Sequence, residues 1–132
     1  HTGHQPMFSA DKKIAIVFNG EIYNYRELRS DLIAKGHHFS TQSDTEVVLR
    51  LYEVYGKDFL PLLNGMFGIC IYDQRTEKIL LARDRAGEKP LYYSGREKLF
   101  AFGSELKSLI HHFEIPKKIN RQALNLYLSL TF

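Results

Sequence analysis

The residues with the greatest chemical potential stand together at Asn19-Gly20-Glu21. The short β-branched apolar run Ile14-Ala15-Ile16-Val17-Phe18 leads into them, so a buried strand would deliver an amide side chain, a flexible backbone and a carboxylate to one point. Two readings stand. Asn-Gly is a common hairpin signal, and the strand can simply stop there at a structural turn. A helical pattern follows, however, and the other reading is an oxyanion hole built from the Asn19 side-chain N–H and the Gly20 backbone N–H. Glycine permits close approach, and one such donor is worth ~3 kcal/mol of transition-state stabilisation.

Other reactive residue types read as structural. Cys70, the single cysteine, lies in Ile69-Cys70-Ile71 with no charged neighbour to lower its pKa, and is expected to be a core thiol. Arg83-Asp84-Arg85-Ala86-Gly87-Glu88-Lys89 gathers charges between two strand patterns. A bound phosphate is one reading and a solvated or internally paired loop the other; no catalytic role is assigned. Of six histidines, His37-His38 and His111-His112 are adjacent pairs whose side chains diverge, and no Cys/His ligand spacing occurs, so no metal site is expected.

The elements that position these residues follow from periodicity. Asn24 with Glu27 three residues on is a capping-box pattern, and Tyr25, Leu28 and Leu32 recur at helical spacing before Gly36, which predicts a helix over 25–35. Ser43-Asp44-Thr45-Glu46 repeats the pattern, and Val47, Leu51, Val54 and Tyr55 mark one face of a second helix over 44–55. Asp58 to Leu63 adds a short helical piece limited by Pro61. Met66 to Tyr72 and Lys78 to Arg83 form one hairpin, and Leu91 to Tyr93 with Leu99 to Phe102 a second. Four strands in sequence favour an antiparallel sheet. Ser104 is expected to cap a helix from Glu105 to about His111, and Asn120 another carrying Ala123, Leu124, Tyr127 and Leu128. Between them Glu114-Ile115-Pro116-Lys117-Lys118, polar and broken by proline, marks a boundary. The class is α+β, an antiparallel sheet covered by helices.

Composition supports one globular domain: 132 residues, 44% hydrophobic and 13% aromatic, can fill a single core. A net charge of +3, with basic and acidic residues intermixed, argues against a nucleic-acid partner. The apolar runs fall far short of the ~20 residues that span a bilayer. A lone cysteine fits a reducing compartment, so a cytoplasmic location is expected. The start, His1-Thr2-Gly3-His4-Gln5-Pro6, is neither a signal peptide nor an initiating Met, and the chain is expected to begin mid-protein.

Several motifs taken together resemble a known family. Gly3-His4-Gln5-Pro6-Met7, Phe18-Asn19-Gly20-Glu21-Ile22-Tyr23-Asn24, Ser43-Asp44-Thr45-Glu46, Leu63-Asn64-Gly65-Met66-Phe67, Arg83-Asp84-Arg85, Gly87 with Lys89-Pro90-Leu91-Tyr92-Tyr93, and Ser104-Glu105-Leu106-Lys107 occur in an order and spacing similar to the class II glutamine amidotransferase domain of glutamine-hydrolysing asparagine synthetases. The resemblance implies an Ntn-hydrolase-like, four-layer αββα sandwich with antiparallel sheets, here incomplete at the N-terminus. It implies a glutaminase domain over 1–113 and, over 114–132, a linker and the start of a synthetase domain. The implied reaction releases ammonia from glutamine for the ATP-dependent amidation of aspartate. No cofactor is implied for the glutaminase, and ATP and Mg for the synthetase domain.

Carried over by position, Asn19 and Gly20 match the family's oxyanion donors, and Glu21 and Asp44 match residues that hold the amino-acid end of glutamine. A glutamine α-ammonium needs such carboxylate partners. Asp44 has a second reading, since an acidic residue in a first helical turn also stabilises the helix dipole. The family's nucleophile is an N-terminal cysteine whose α-amino group serves as base. Residue 1 here is His, and the arginine that binds the substrate carboxylate lies upstream of the segment matching Gly3, so the 132 residues alone are expected to be inactive. Ala86 and Glu88 also depart from the bulkier or apolar residues common in the family. The implied partners are glutamine and the synthetase domain of the same chain, and uncovered sheet edge makes self-association, as a homodimer, an expectation. Two alternatives remain: a class II domain serving a sugar or another carboxylate, and a non-catalytic amino-acid-binding remnant.

Overall fold

A computed structural model describes residues 3–97, 99–112 and 114–130. Expectations that touch His1, the turn position Lys98, the boundary residue Phe113 or the end of the last helix at 131–132 lie outside them. The chain divides into two compact units, His1–Leu91 and Tyr92–Phe132.

The first unit is a four-stranded antiparallel sheet in the order β1 (Met7–Phe8), β2 (Ile14–Ile22), β3 (Gly65–Asp73), β4 (Lys78–Arg83), with two helices, α1 (Tyr25–Ala34) and α2 (Asp44–Tyr55), and a 3₁₀ segment at Gly56–Leu62. Strand alternation sorts β2 cleanly. Ile14, Ile16, Phe18 and Ile22 are buried in a core shared with Leu32 of α1, Val47, Val48 and Leu51 of α2, Phe59, and Phe67, Ile69 and Ile71 of β3. Ala15, Val17, Asn19 and Glu21 take the opposite face, as does Cys70 through its pairing with Val17. Each fully buried aliphatic side chain contributes ~1.5–3 kcal/mol, so this core holds the sheet against α1 and α2.

Three local expectations are corrected. The strand does not stop at Asn19-Gly20: β2 runs through Asn19, Gly20 and Glu21 to Ile22, paired with β3 from Ile14↔Asp73 to Ile22↔Gly65. Asn24 occupies the N-cap position of α1 but makes no side-chain cap bond. Its carboxamide instead reaches the start of β3, donating to the Leu62 carbonyl at 3.0 Å and accepting from the Asn64 N–H at 3.0 Å. Long-range partners have outcompeted the local cap. On α2, Val54 is exposed while Val48 and Leu49 are buried, so the core-facing stripe is rotated towards the helix start.

The Ser43 cap is as expected, its hydroxyl accepting from the Glu46 N–H at 3.3 Å. Glu46 itself is buried and binds outward to the preceding loop, accepting from the N–H of Ser40 at 2.8 Å and the N–H and hydroxyl of Thr41 at 2.6 Å each.

In the second unit β5 (Tyr92–Arg96) and β6 (Leu99–Gly103) form the second hairpin, followed by α3 (Leu106–Ile110) and α4 (Arg121–Leu130). Both expected hairpins exist, but they belong to separate sheets instead of one. Glu105, not Ser104, is the N-cap residue of α3, and makes no side-chain cap bond. Asn120 caps α4 as expected, accepting from the N–H groups of Gln122 at 3.0 Å and Ala123 at 3.2 Å. The class is α+β with antiparallel sheets, in agreement with the periodicity.

Candidate active site

In an antiparallel pair, successive residues point their peptide groups alternately towards and away from the partner strand. Tyr23 donates to the Asn64 carbonyl at 2.8 Å, in line with the β2–β3 register, so the odd-numbered residues Glu21 and Asn19 turn their peptides towards β3. Even-numbered residues face the other way, and side chains from elsewhere meet two of them. The Phe18 N–H donates to Gln5 Oε1 at 2.6 Å, and Gln5 Nε2 returns a bond to the Phe18 carbonyl at 2.8 Å. The Ile22 N–H donates to Asp44 Oδ2 at 3.1 Å.

Gly20 lies midway between these two anchored positions, and its N–H points to the same edge. The pairing of β1 with β2 covers Met7↔Ile16 and Phe8↔Ala15, so among the described residues no strand pairs with Gly20 on that edge. A β-carbon at Gly20 would come 2.1 Å from the Met66 carbonyl oxygen and 2.7 Å from the Phe67 Cα, and its φ of +156° is one that other residues rarely adopt. Glycine is required here by close strand approach, whereas the sequence suggested a turn.

Asn19 and Glu21 are exposed and share the sheet face opposite the helices, two residues and therefore about 7 Å apart along the strand. Gly68, opposite Asn19, places no side chain beside it. Asp44 is the first residue of α2, so the interhelical loop brings its carboxylate to the end of β2. The structure thus gathers all four expected residues, Asn19, Gly20, Glu21 and Asp44, along one stretch of β2. Asp44 opens α2, as its helix reading requires, and its Oδ2 also accepts from the Ile22 N–H at the strand end.

The other candidates fall away from this stretch. Cys70 is buried in β3, and desolvation pushes its thiol up to about 11, the opposite of what a nucleophile needs. The Arg83–Lys89 loop is internally paired. Asp84 is buried and accepts from the N–H groups of Lys89 at 3.0 Å, Glu88 at 2.9 Å and Phe67 at 3.2 Å, which hold its carboxyl down to about 2. Arg83 donates to the carbonyls of Lys89 and Gly87. A cleft of about 830 Å³ lies beside this loop, bordered by Tyr23, Asn64, Met66, Arg83 and Arg85, but none of the four gathered residues lines it. Among the described residues no group of three or more His, Cys, Asp or Glu side chains is placed to hold a metal ion.

Sequence reasoning had no role for Gln5 or Gly65, and read Asn24 and Glu46 only as members of capping boxes. All four stood inside recognised motifs, yet the partners the structure gives them lie from 5 to 44 positions away, where no local pattern reveals them.

A glutamine amidotransferase domain model matches residues 1–132. The chain is 44% identical over 124 residues to asparagine synthetase [glutamine-hydrolyzing] 2 of Bacillus subtilis, covering 93% of this chain and 16% of that protein. It is also 44% identical over 130 residues to asparagine synthetase [glutamine-hydrolyzing] 1 of the same organism, covering 98% of this chain and 20% of that one. It therefore spans at most a fifth of the length of these relatives. Among solved structures it is similar to the glutamine phosphoribosylpyrophosphate amidotransferase of B. subtilis complexed with ADP and GMP, with a TM-score of 0.68 and 26% identity over 80% of this chain and 25% of the other. A structure described as the allosteric regulatory enzyme of purine biosynthesis gives a TM-score of 0.71 and 25% identity over 83% of this chain and 26% of the other.

Proposed function

The chain belongs to the glutamine amidotransferase family, and on that premise we propose that residues 1–132 contribute the oxyanion and substrate-binding side of a glutamine-hydrolysing site. Asn19 Nδ2 and the Gly20 N–H act on the carboxamide oxygen. Glu21 and Asp44 take the α-ammonium. When a thiolate attacks the carboxamide carbon, the carbonyl oxygen becomes an oxyanion held by these two donors. The C–N bond then breaks, the nitrogen leaves with a proton as ammonia, and water cleaves the thioester to give glutamate.

With Cys70 buried and its thiol pushed up to about 11, the attacking thiol comes from outside residues 1–132. The observation that carries the reading is the Gly20 N–H on an edge that no strand covers among the described residues, between the anchored Phe18 and Ile22 and flanked on one face by Asn19 and Glu21. Its test is ammonia release from glutamine by the full-length protein. Asn19→Ala lowers kcat roughly 10²–10³-fold, the loss typical of one oxyanion donor; unchanged kcat in that variant overturns the reading.

For the whole protein, the 44% identity to asparagine synthetases supports aspartate as the ammonia acceptor. Residues 1–113 then form the amidotransferase domain, and 114–132 lead into a synthetase domain. The apolar residues Leu124, Leu126, Tyr127 and Leu128 of α4 are exposed, as expected of a helix that packs on such a neighbour. ATP and Mg belong to that neighbour, and residues 1–132 take no step through them. We place the protein in the cytoplasm and as a homodimer; among the described residues no helix is long and apolar enough to cross a membrane. The likeness to a phosphoribosylpyrophosphate amidotransferase supports a second acceptor class, a sugar phosphate, at the lower identity of 26%. Ammonia-dependent product formation with aspartate or with phosphoribosyl pyrophosphate separates the two.

A further inference from the structure

We propose that Gln5 is a positioning residue for the Gly20 oxyanion donor, an inference that rests on the function proposed above. Its side-chain amide reproduces the two-bond exchange of an antiparallel pair: Oε1 accepts from the Phe18 N–H at 2.6 Å, and Nε2 donates to the Phe18 carbonyl at 2.8 Å. The substitution is in register. Met7 pairs with Ile16 and Phe8 with Ala15, so residue 5 is the position that would face Phe18 had the strand continued. Pro6 falls opposite Val17, whose peptide groups turn to β3, so its missing N–H costs this ladder nothing; at the next hydrogen-bonded position the Gln5 side chain, not its backbone, pairs with Phe18.

This arrangement sets where the edge of β2 is held and where it is open. Gln5 fixes the peptide groups of Phe18, Asp44 fixes the N–H of Ile22, and between them the Gly20 N–H faces an edge with which no strand pairs among the described residues. Glycine supplies no side chain to hold its own orientation, so the aim of that N–H depends on its two anchored neighbours. A backbone strand continuing to Gly20 would have consumed the donor. A side-chain amide ends the pairing at Phe18 and leaves the next donor for a ligand. Glutamine is suited to this because it offers both an acceptor and a donor; glutamate supplies only the acceptor, and methionine only a weak sulfur acceptor.

Kinetics of glutamine hydrolysis by the full-length protein test the inference, with Gln5→Met, Gln5→Glu and Asn19→Ala compared for kcat, KM and inhibition by the product glutamate. If Gln5 positions the donor, Gln5→Met lowers kcat about tenfold or more while KM and glutamate inhibition stay within about twofold, because misplacement acts on the transition state and not on the amino-acid end. Gln5→Glu, which keeps the acceptor and nearly the same shape, falls between wild type and Gln5→Met, and serves alone should the methionine variant fail to fold. Unchanged kcat in both Gln5 variants, or a loss that appears only as raised KM together with a lowered melting temperature, overturns the inference. Asn19→Ala separates the two levels: if it lowers kcat and the Gln5 variants do not, only the positioning role fails, whereas if it has no effect the oxyanion reading fails and this inference with it.

Discussion

Gly20 of β2 and Gly65 of β3 each lie against the backbone of the other strand: a β-carbon on Gly20 would stand 2.1 Å from the Met66 carbonyl oxygen, and one on Gly65 2.2 Å from the Glu21 carbonyl oxygen. The two strands therefore pass at a separation that tolerates no side chain at either position. Gly65→Ala forces them apart beside Glu21. We expect it to destabilise the protein by about 2 kcal/mol, as overpacking against backbone does, and to impair glutamine use although Gly65 has no catalytic role. A urea midpoint equal to that of wild type would show that the strands can separate without strain.

In the proposed site, Glu21 and Asp44 hold the ammonium of glutamine and take no part in the chemical step. Removing one charge from the ammonium site through Glu21→Gln or Asp44→Asn is expected to raise KM for glutamine about ten- to hundredfold with kcat little changed, since a charge-assisted bond contributes roughly 1.5–3 kcal/mol. Asp44→Asn keeps an oxygen able to accept from the Ile22 N–H, so its fold is retained and the effect reads on substrate. A drop in kcat at constant KM would assign these carboxylates to the reaction instead.

Asn24→Asp distinguishes a helix cap from a clamp. Aspartate is as good an N-cap as asparagine, so a capping role predicts no loss. It cannot donate to the Leu62 carbonyl, however, and we expect a destabilisation of about 1 kcal/mol from that lost bond, measured by chemical denaturation. Equal stability of the two proteins would return Asn24 to the capping role.

Asp84 makes stability depend on acid pH. Three backbone N–H groups on its carboxylate hold its folded pKa near 2, below the ordinary value of 3.8. A depressed carboxylate pKa stabilises the fold above the unfolded pKa, and that contribution disappears as pH falls through the folded one. Wild type is therefore expected to lose stability between about pH 4 and 2 more steeply than Asp84→Asn, in melting curves recorded across that range. Parallel curves would show that this carboxylate is not stabilised by the loop.

Cys70 is expected to resist labelling. Its thiol, pushed up to about 11 by burial, carries almost no thiolate at pH 8, so a maleimide or disulfide reagent should modify it only in denaturant. Rapid stoichiometric labelling of the native protein would contradict its burial.

Much of this protein is legible in its sequence wherever the signal is local. The β-branched run from Ile14 and the periodicity of 25–35 and 44–55 gave the elements of the first unit, and the Ser43 and Asn120 caps formed as expected because each bonds within its own first turn. The motif around Asn19-Gly20-Glu21 marked the candidate site, and Asp44 was placed with it by resemblance.

What the sequence could not decide is what lies across from each residue. Asn19-Gly20 reads as a turn until β3 is laid beside it, and Asn24 reads as a cap until Leu62 and Asn64 arrive to take its carboxamide. Gln5 has no meaning before the chain bends back along β2. Propensity and periodicity act over a few residues, whereas a backbone donor becomes a binding group only when its neighbours are occupied and it is not. That pattern of occupied and open peptide groups is set by strand register, and register exists only in the folded chain.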